Sequence, residues 1–536
     1  MAPQPRPAGT TYGRSSIPPN GAPVPQTVRN FPPVERPPAT PGGQVTGPDH
    51  PASRRAAAAK PGTGSVRRTK MVALASLILV VLLAGVLFVV RPGPIDGWLS
   101  DDPAAKQAAT RAPDPAPTPV LAAAAGTAPT AAGIRAAIAS LVDAPALGSR
   151  VNISIVDPAT GTALYERNPG ALTTPASTTK LITAATVLAA RGPAYRLSTR
   201  AVAGAASGEV VLIGGGDASL AVDEDDLFPG AARLDQLAAQ VKKALGGKKP
   251  TAVVIDKSLF SGSETGPGWE PGLIGGGQTA RIQALMTNGG RIDPVHDEDG
   301  DPRFPDPARA AGEAFAAQLG LDPSAVREGK APASPESSAA PTAGAPGSEL
   351  GVVQSPPLVH VLDWMLDQSD NVLAEALARQ VALAAGQPAT FEGTAAAMSA
   401  KLTELGLPAD QAQLSDASGL SLKNRISPRL LTDLLTLAAA GKHPALSSMS
   451  GGLPVAGWSG TLKKRFVAPE SNQAGQGLVR AKTGSLTGVH AISGNLITKD
   501  GRLLVFAILA DDTGGYDETR AALDRIAAAL VSCGCQ

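Results

Sequence analysis

A hydrophobic run at residues 71–90 constrains this chain more than any other feature of its sequence. Its 20 residues are interrupted only by Ser76 and Gly85. A helix of this length is about 30 Å long, which matches the hydrocarbon thickness of a bilayer. We therefore expect a single, uncleaved transmembrane helix that separates two parts of the chain.

The charges that flank this run predict its orientation. Arg67, Arg68 and Lys70 lie directly before it, whereas only Arg91 follows it closely. Because cytoplasmic flanks carry the excess of Lys and Arg, the N-terminus is expected in the cytoplasm. The predicted protein is a single-pass protein of the cell membrane, and everything after residue 91 is expected to be extracellular.

The segments on either side of the predicted helix have no pattern of a folded core. Residues 1–66 are rich in Pro, Gly, Ala, Ser and Arg, which predicts a disordered, basic cytoplasmic tail. Residues 91–130 are rich in Pro and Ala and predict an extended stalk. The net charge of the whole chain is +1, so its charge gives no reason to expect a nucleic-acid partner.

Patterning typical of a globular protein begins near Ile134. Two strand-like stretches flank a "PATG" turn, a helical stretch follows at 173–188, and a strand hairpin and a last helix end the chain. This order predicts an α/β sandwich formed by residues 131–194 and 350–536. Residues 195–349 change to short strands with Gly-rich and acidic loops, which predicts one or more inserted, smaller β-rich domains.

Several hydrolase classes lack their motifs in this sequence. The five histidines include no pair at the spacing of a helical metal site, and no His-Glu-x-x-His motif occurs. The Gly-x-Ser-x-Gly elbow of Ser-His-Asp hydrolases is also absent. Cys533 and Cys535 are too few for a disulfide framework, and either a paired or a reduced state is open. No metal and no organic cofactor is expected.

The stretch "TTPASTTKLITAATVL" places Ser177 three residues before Lys180 at a predicted helix start. Residues at this spacing share one helix face. A lysine with a lowered pKa could take the serine proton and make the hydroxyl a nucleophile. The N–H groups of a helix start also favour developing negative charge. By itself the pair is a weak signal, and a capped helix with a surface lysine is the alternative interpretation.

Two further motifs favour the catalytic interpretation. Ser369-Asp370-Asn371 lies at a break between two helical stretches, and Lys482-Thr483-Gly484 lies on a predicted strand. These motifs, with Ser-x-x-Lys, are those of class A β-lactamases and penicillin-binding proteins. Ser369 could relay a proton, Asn371 could donate to a substrate carbonyl, and Lys482 and Thr483 could bind a carboxylate. Gly484 is expected to let a substrate strand lie close to the edge of the sheet.

The order and spacing of the motifs resemble those of a known family. Ser177 and Ser369 are 192 residues apart, which leaves room for a domain-sized insert. Together with "LIGGGDASL", "GPGWE", "DASGLSLKNRISPRLL" and "LPVAGWSGTLKKRF", this resembles the class C low-molecular-mass penicillin-binding proteins, the D-alanyl-D-alanine carboxypeptidase/endopeptidase family. The resemblance extends over about residues 134 to 531. It implies a penicillin-binding, β-lactamase-like α/β sandwich with inserted smaller domains.

The resemblance also implies a function and roles for single residues. The expected reaction is hydrolysis of the D-Ala–D-Ala bond of peptidoglycan stem peptides through an acyl-enzyme at Ser177, with inhibition by β-lactams and, in some members, endopeptidase activity. Backbone N–H groups of Ser177 and Ser485 would form the oxyanion hole. The implied catalytic residues are Ser177, Lys180 and Ser369. The implied substrate-binding residues are Asn371, Lys482, Thr483, Gly484 and Ser485.

Weaker signals and alternatives remain at this stage. The runs "GGGDASL" and "SGLSLKNRIS" could bind substrate, although turn formation is the commoner reason for such composition. The acidic run at 295–301 predicts a solvated loop. The alternative functions are a β-lactamase-like hydrolase, which needs an efficient deacylating base, and a non-catalytic cell-wall-binding module, which would be expected to have damaged motifs.

Overall fold

The part of the chain for which the computed structural model describes the fold begins at Gly126. The described residues are 126–224, 227–295, 300–334 and 345–535. The predicted tail, the predicted membrane helix and all but the last five residues of the predicted stalk lie outside these ranges. Among the helices within them, none combines the length and the apolar character needed to cross a bilayer.

The strands of the described residues belong to two large sheets and one short pair. In chain order they are β1 (Arg150–Asp157), β2 (Thr162–Arg167), β3 (Ser198–Ala203), β4 (Glu209–Ile213), β5 (Ala252–Asp256), β6 (Val326–Glu328), β7 (Glu349–Gln354), β8 (Ala412–Gln413), β9 (Arg425–Ile426), β10 (Val479–Leu486), β11 (Val489–Ile497) and β12 (Leu503–Asp511).

The α-helices of the same ranges lie on the faces of these sheets and between them. In chain order they are α1 (Ala131–Ile138), α2 (Thr179–Arg191), α3 (Leu234–Ala244), α4 (Pro307–Leu319), α5 (Leu358–Asp367), α6 (Asn371–Ala384), α7 (Phe391–Glu404), α8 (Pro428–Ala439), α9 (Pro444–Ser447) and α10 (Tyr516–Ser532).

The first sheet is antiparallel, with the spatial order β10-β11-β12-β1-β2. Along β12, side chains alternate between two cores, as the two-residue period of a strand requires. Phe506 and Ile508 pack with α1 and α10, whereas Val505 and Leu509 pack with the helices on the other face. The sheet is therefore covered on both faces, and the predicted α/β sandwich is confirmed.

Helix α2 is the central helix of the layer on the second face. Every residue from Thr179 to Leu188 is buried, as expected of a helix surrounded by protein rather than of a surface helix. Its threonine hydroxyls hydrogen-bond to backbone carbonyls; Thr186 Oγ1, for example, donates to the Ile182 oxygen at 2.8 Å. The start of α2 is thereby held in the interior beside β10 and α6.

The second large sheet lies mostly in the predicted insert and has the order β6-β5-β4-β3-β7. The pairs β4–β5 and β5–β6 are parallel, whereas β3 pairs antiparallel with β4 and β7. Helices α3 and α4 pack on it and bury Leu237 and Phe315. The insert thus contains helices as well as strands. Its sheet is completed by β7, which lies at the start of the second predicted catalytic segment, 350–536.

Candidate active site

Ser177 lies in a 3-10 turn, Ala176–Thr178, that leads directly into α2. Ala176 has a φ of 45°, a backbone conformation that non-glycine residues rarely adopt. Such local strain persists only where the surrounding structure holds it, and it concentrates at functional sites. The sequence predicted the helix start correctly, but the serine occupies the tighter turn before the α-helix.

Two glycines from distant segments make room for this turn. A Cβ atom at Gly419 would overlap the carbonyl oxygen of Ala176, and one at Gly484 would lie 2.9 Å from the Ser177 nitrogen. The structure therefore gives a reason for Gly484 that differs from the predicted one. The missing side chain accommodates the backbone of the serine turn, and the role of Gly484 beside a substrate strand stays a prediction.

Lys180 is fully buried, and its amine contacts three acceptors from three parts of the fold. Its Nζ atom donates to Ser177 Oγ at 3.1 Å, to Asn371 Oδ1 at 2.6 Å and to the Ser418 carbonyl oxygen at 2.7 Å. The side chain is thus fixed beneath the serine turn. Sequence reasoning brought Ser177, Lys180 and Asn371 together but did not include Ser418.

The same three contacts explain how this lysine can act as a base. In the neutral amine, the two N–H bonds can remain on Asn371 and Ser418, which leaves the lone pair directed at the hydroxyl of Ser177. Burial lowers the pKa of Lys180 to about 8, although the charges of Asp416, Asp370 and Glu375 act in the opposite direction. About a tenth of the amine is therefore neutral at pH 7 and about half at pH 8.

The Ser369-Asp370-Asn371 motif connects α5 to α6. Ser369 has a φ of 59°, and Asp370 Oδ1 caps α6 by accepting from the Leu373 N–H at 2.8 Å. Besides accepting from Lys180, Asn371 donates through Nδ2 to the Gln278 carbonyl oxygen at 2.8 Å. The predicted insert therefore contacts the second motif directly.

A buried ion cluster fixes the second motif from the side of the insert. Arg291 binds Asp370 Oδ2 through Nη2 at 2.9 Å and Asp301 Oδ2 through Nε at 2.5 Å. Burial alone would raise the pKa of Asp370, but Arg291 and Arg303 hold it well below its usual range. Asp301 comes from the acidic run at 295–301, so the prediction of a solvated loop was wrong for this residue, which is 2% exposed.

Lys482 of β10 is also fully buried, and its Nζ donates to the Thr483 carbonyl oxygen at 2.9 Å. Burial lowers its pKa well below the usual value, and the nearby charge of Lys180 lowers it further, with Asp367 opposing. Two cations in a buried site repel each other. An anion bound beside Thr483 would relieve this repulsion, which suits the site to a ligand with a carboxylate.

A cleft of about 670 Å³ opens above these residues. Five of the eight predicted site residues line it, whereas Lys180, Lys482 and Gly484 are buried and do not line it. The five are Ser177, Ser369, Asn371, Thr483 and Ser485. One wall is extended by Thr461, whose hydroxyl hydrogen-bonds to that of Thr483 at 2.9 Å. The cleft continues to Tyr516, Asp517 and Arg520 at the start of α10.

Sequence reasoning missed the groups that support this site from behind. A turn or a substrate contact is the sequence-based expectation for the run "SGLSLKNRIS", but this run supplies the Ser418 carbonyl that binds Lys180. Glu375, one helical turn after Asn371, was not singled out. No His, Cys, Asp and Glu cluster suited to a metal ion occurs within 126–224, 227–295, 300–334 and 345–535.

Comparisons with known proteins show which family this chain resembles over most of its length. A family model described as the D-Ala-D-Ala carboxypeptidase 3 (S13) family matches residues 134–334 and 303–530. Carboxypeptidase Rv3627c of Mycobacterium tuberculosis is 39% identical over 80% of this chain and 92% of its own length. Carboxypeptidase DacB of Mycolicibacterium smegmatis is 37% identical over 87% of this chain and 96% of its own.

A solved structure shows the same fold. Penicillin binding protein 4 (dacB) from Haemophilus influenzae aligns with a TM-score of 0.58 at 22% identity. The alignment covers 73% of this chain and 98% of that one. The fold of the described residues is therefore the α/β fold of penicillin-binding proteins.

The packing of the serine turn predicts the effect of a single methyl group. Gly419→Ala should destabilise the protein by more than about 2 kcal/mol, because φ is +86° and the added Cβ overlaps backbone. Gly386→Ala is the matched control, since Gly386 also has a positive φ but has open space around its Cα. It should cost about 1 kcal/mol. Equal free energies of unfolding in denaturant titrations of the two variants would contradict this account.

Proposed function

Since the chain belongs to the D-Ala-D-Ala carboxypeptidase 3 (S13) family and is a serine-type peptidase, we propose that Ser177 is its nucleophile. The substrate is the peptidoglycan stem peptide that ends in D-Ala–D-Ala. The observation that carries the assignment is the contact of 3.1 Å between Ser177 Oγ and the buried Lys180 amine, at the floor of a cleft that all three motifs border.

In the proposed acylation step, the neutral amine of Lys180 takes the proton from Ser177 Oγ. The oxygen then attacks the carbonyl carbon of the penultimate D-alanine. The backbone N–H groups of Ser177 and Ser485 stabilise the oxyanion. The peptide bond breaks, and the proton passes from Lys180 through the hydroxyl of Ser369 to the nitrogen of the departing D-alanine. The remaining stem peptide is left as an ester of Ser177.

Deacylation uses the same groups in the opposite direction. Lys180 is neutral again after D-alanine has left, so it can take a proton from a water molecule that attacks the ester carbon. The bond between that carbon and Ser177 Oγ breaks, and the proton returns to the serine. The product is the stem peptide shortened by one D-alanine.

The third motif is proposed to bind the C-terminal carboxylate of the substrate. The hydroxyls of Thr483 and Ser485 line the cleft and can donate to it, and Lys482 supplies positive charge from below. Asn371 is proposed to donate to a substrate amide carbonyl. Its Nδ2 has one N–H on Gln278, which leaves the second for this role.

β-Lactams are expected to acylate Ser177, because their strained amide presents the same carbonyl and a carboxylate. A β-lactamase-like hydrolase is the alternative in the same chemical class, and rapid turnover of a chromogenic β-lactam would distinguish it. A non-catalytic cell-wall-binding module is less well supported, since the polar contacts of Ser177 and Lys180 are complete.

The extension of the cleft favours endopeptidase activity as a second function. Beyond Ser485 the cleft reaches Tyr516 and Arg520, and the Arg520 guanidinium lies 4.8 Å from the centroid of the Tyr516 ring. A single D-alanine would fill only a small part of this cleft of about 670 Å³. A leaving group that belongs to a cross-linked second stem peptide would be long enough and has further carboxylates for Arg520.

The location is proposed from the sequence alone. Residues 71–90 would anchor the protein in the cell membrane as a single-pass helix, with the N-terminal tail in the cytoplasm. The catalytic domain would then be extracellular, on the side of the membrane where peptidoglycan is found.

Replacing the nucleophile should abolish the chemistry without unfolding the protein. Ser177→Ala is expected to reduce D-Ala release from a D-Ala–D-Ala peptide by at least about 10³-fold and to abolish covalent labelling by a fluorescent penicillin. The exposed Ser471→Ala is the control and should retain both activities. Labelling of Ser177→Ala would show that the nucleophile is a different residue.

The endopeptidase proposal can be tested by product analysis on defined muropeptides. Arg520→Ala should raise the KM for a cross-linked dimer by about tenfold, because one charged hydrogen bond contributes about 1.5 kcal/mol or more. The KM for a monomeric pentapeptide should be unchanged. Equal effects on both substrates, or no cleavage of the dimer by the wild type, would rule out this role for the far end of the cleft.

The membrane anchor can be tested by truncation. Removal of residues 1–90 should transfer the protein from the membrane fraction to the soluble fraction after an alkaline wash. Removal of residues 1–66 alone is the control and should leave it in the membrane. A protein that stays in the membrane after the longer truncation would contradict the anchor at residues 71–90.

A further inference from the structure

A buried glutamate on α6 holds the backbone that lies behind Lys180. The peptide group between Ala417 and Ser418 is bound on both sides. Its N–H donates to Glu375 Oε1 at 2.8 Å, and its carbonyl oxygen accepts from Thr183 Oγ1 of α2 at 2.7 Å. The N–H of Ala417 also donates to Glu375 Oε1, at 2.9 Å. Glu375 is 1% exposed, so no solvent competes for these contacts.

The next peptide group is held in the same manner by a second carboxylate. The N–H of Gly419 donates to Asp416 Oδ1 at 2.9 Å, and the carbonyl oxygen of the same peptide, that of Ser418, accepts from Lys180 Nζ at 2.7 Å. Because a peptide group is planar, fixing its N–H also fixes the direction of its carbonyl. Asp416 therefore determines where this acceptor points.

Asp416 is itself held from several directions. Its Oδ2 accepts from Trp269 Nε1 at 2.8 Å and from the Ser421 N–H at 2.7 Å, and its Oδ1 accepts from Asn424 Nδ2 at 2.7 Å. Trp269 lies in the predicted insert, within the "GPGWE" stretch. The carboxylate is 4% exposed and has little freedom to reorient.

Two successive peptide groups thus each lie between a buried carboxylate and a residue of α2. We propose that Glu375 and Asp416 are positioning residues for acylation of Ser177. They hold the Ser418 carbonyl in place, and this carbonyl takes one N–H of Lys180, so that the lone pair of the amine is directed at the serine hydroxyl. The inference rests on the proposed function, because it assigns Lys180 the role of the base.

Both carboxylates also act on Lys180 through their charge. A nearby negative charge favours the ammonium form, so each one raises the pKa of Lys180 against the larger effect of burial. The other charged groups of this cluster are one acid and one base near Lys180 and two arginines, which pair with Asp370 and Glu375. They are Asp370, Lys482, Arg291 and Arg379. Removing one carboxylate charge should therefore lower the pKa of Lys180.

The experiment measures the rate of acylation of the full chain by a fluorescent penicillin between pH 6 and pH 10. In the wild type the rate should rise with pH to a plateau, with its midpoint near the Lys180 pKa of about 8, since only the neutral amine accepts the proton. Glu375→Ala removes the acceptor of two N–H groups. Its plateau should fall about 10- to 100-fold, because a small displacement of a base has effects of this size.

The conservative variants separate position from charge. Glu375→Gln keeps the acceptor oxygen and loses the charge, so it should restore the plateau to within about threefold of the wild type. Its midpoint, and that of Asp416→Asn, should move to lower pH by about half a unit or more. Asp157→Asn is the control, since it removes a buried, ion-paired carboxylate from the far side of the sheet. It should leave both the plateau and the midpoint unchanged.

The outcomes distinguish this inference from the proposed function. If the wild type is not labelled, the proposed function fails and the inference fails with it. If the wild type is labelled but Glu375→Gln and Asp416→Asn have wild-type midpoints, only the inference is overturned. A wild-type plateau in folded Glu375→Ala would overturn it as well. Should Glu375→Ala not fold, the midpoints of the other two variants decide the question.

Discussion

The burial of the Lys180 amine is the constraint on which the rest of this site depends. A lysine without access to water must have its N–H groups bound by protein, or the cost of burying it is large. Here the acceptors come from the serine turn, from α6 and from the 416–421 loop. The three elements are distant in sequence, so the amine can be satisfied only when the whole catalytic unit has folded. Folding and the proposed activation of Ser177 therefore depend on the same contacts.

The inserted segment contributes to this centre as well as extending the protein. It reaches the second motif through Gln278 and Arg291 and reaches the 416–421 loop through Trp269. Each of these contacts is made to a carboxylate or to a backbone carbonyl, which gives it a defined geometry. A β-lactamase-like core that lacked such an insert would need other groups to fix Asp370 and Asp416. The insert that separates the first two motifs in the sequence is thus joined to the residues of the site by specific hydrogen bonds.

Much of the fold was predictable because its elements have regular periodicity. The last helix, α10, and the pair of strands that flank the "PATG" turn, β1 and β2, were predicted and are present. The helices of the insert were not predicted. Short strands were expected there, but α3, which follows β4 along the chain, and α4, which follows β5, were not. The buried role of Asp301 was also missed, because a run of acidic residues gives no indication that two arginines from the same insert, Arg291 and Arg303, will enclose one of them.

The sequence by itself determined the residue types that are proposed to carry the chemistry. Ser177 with Lys180, the Ser369 motif and the Lys482 motif are local patterns, and their order along the chain was sufficient to indicate the family. Only the tertiary structure decided how Lys180, the proposed base, is held. The carbonyl of Ser418 and the carboxylates behind it act through backbone groups, and every residue has the same backbone groups. A sequence therefore has no signal for such a contact, which exists only where the folded chain brings that peptide group to the amine.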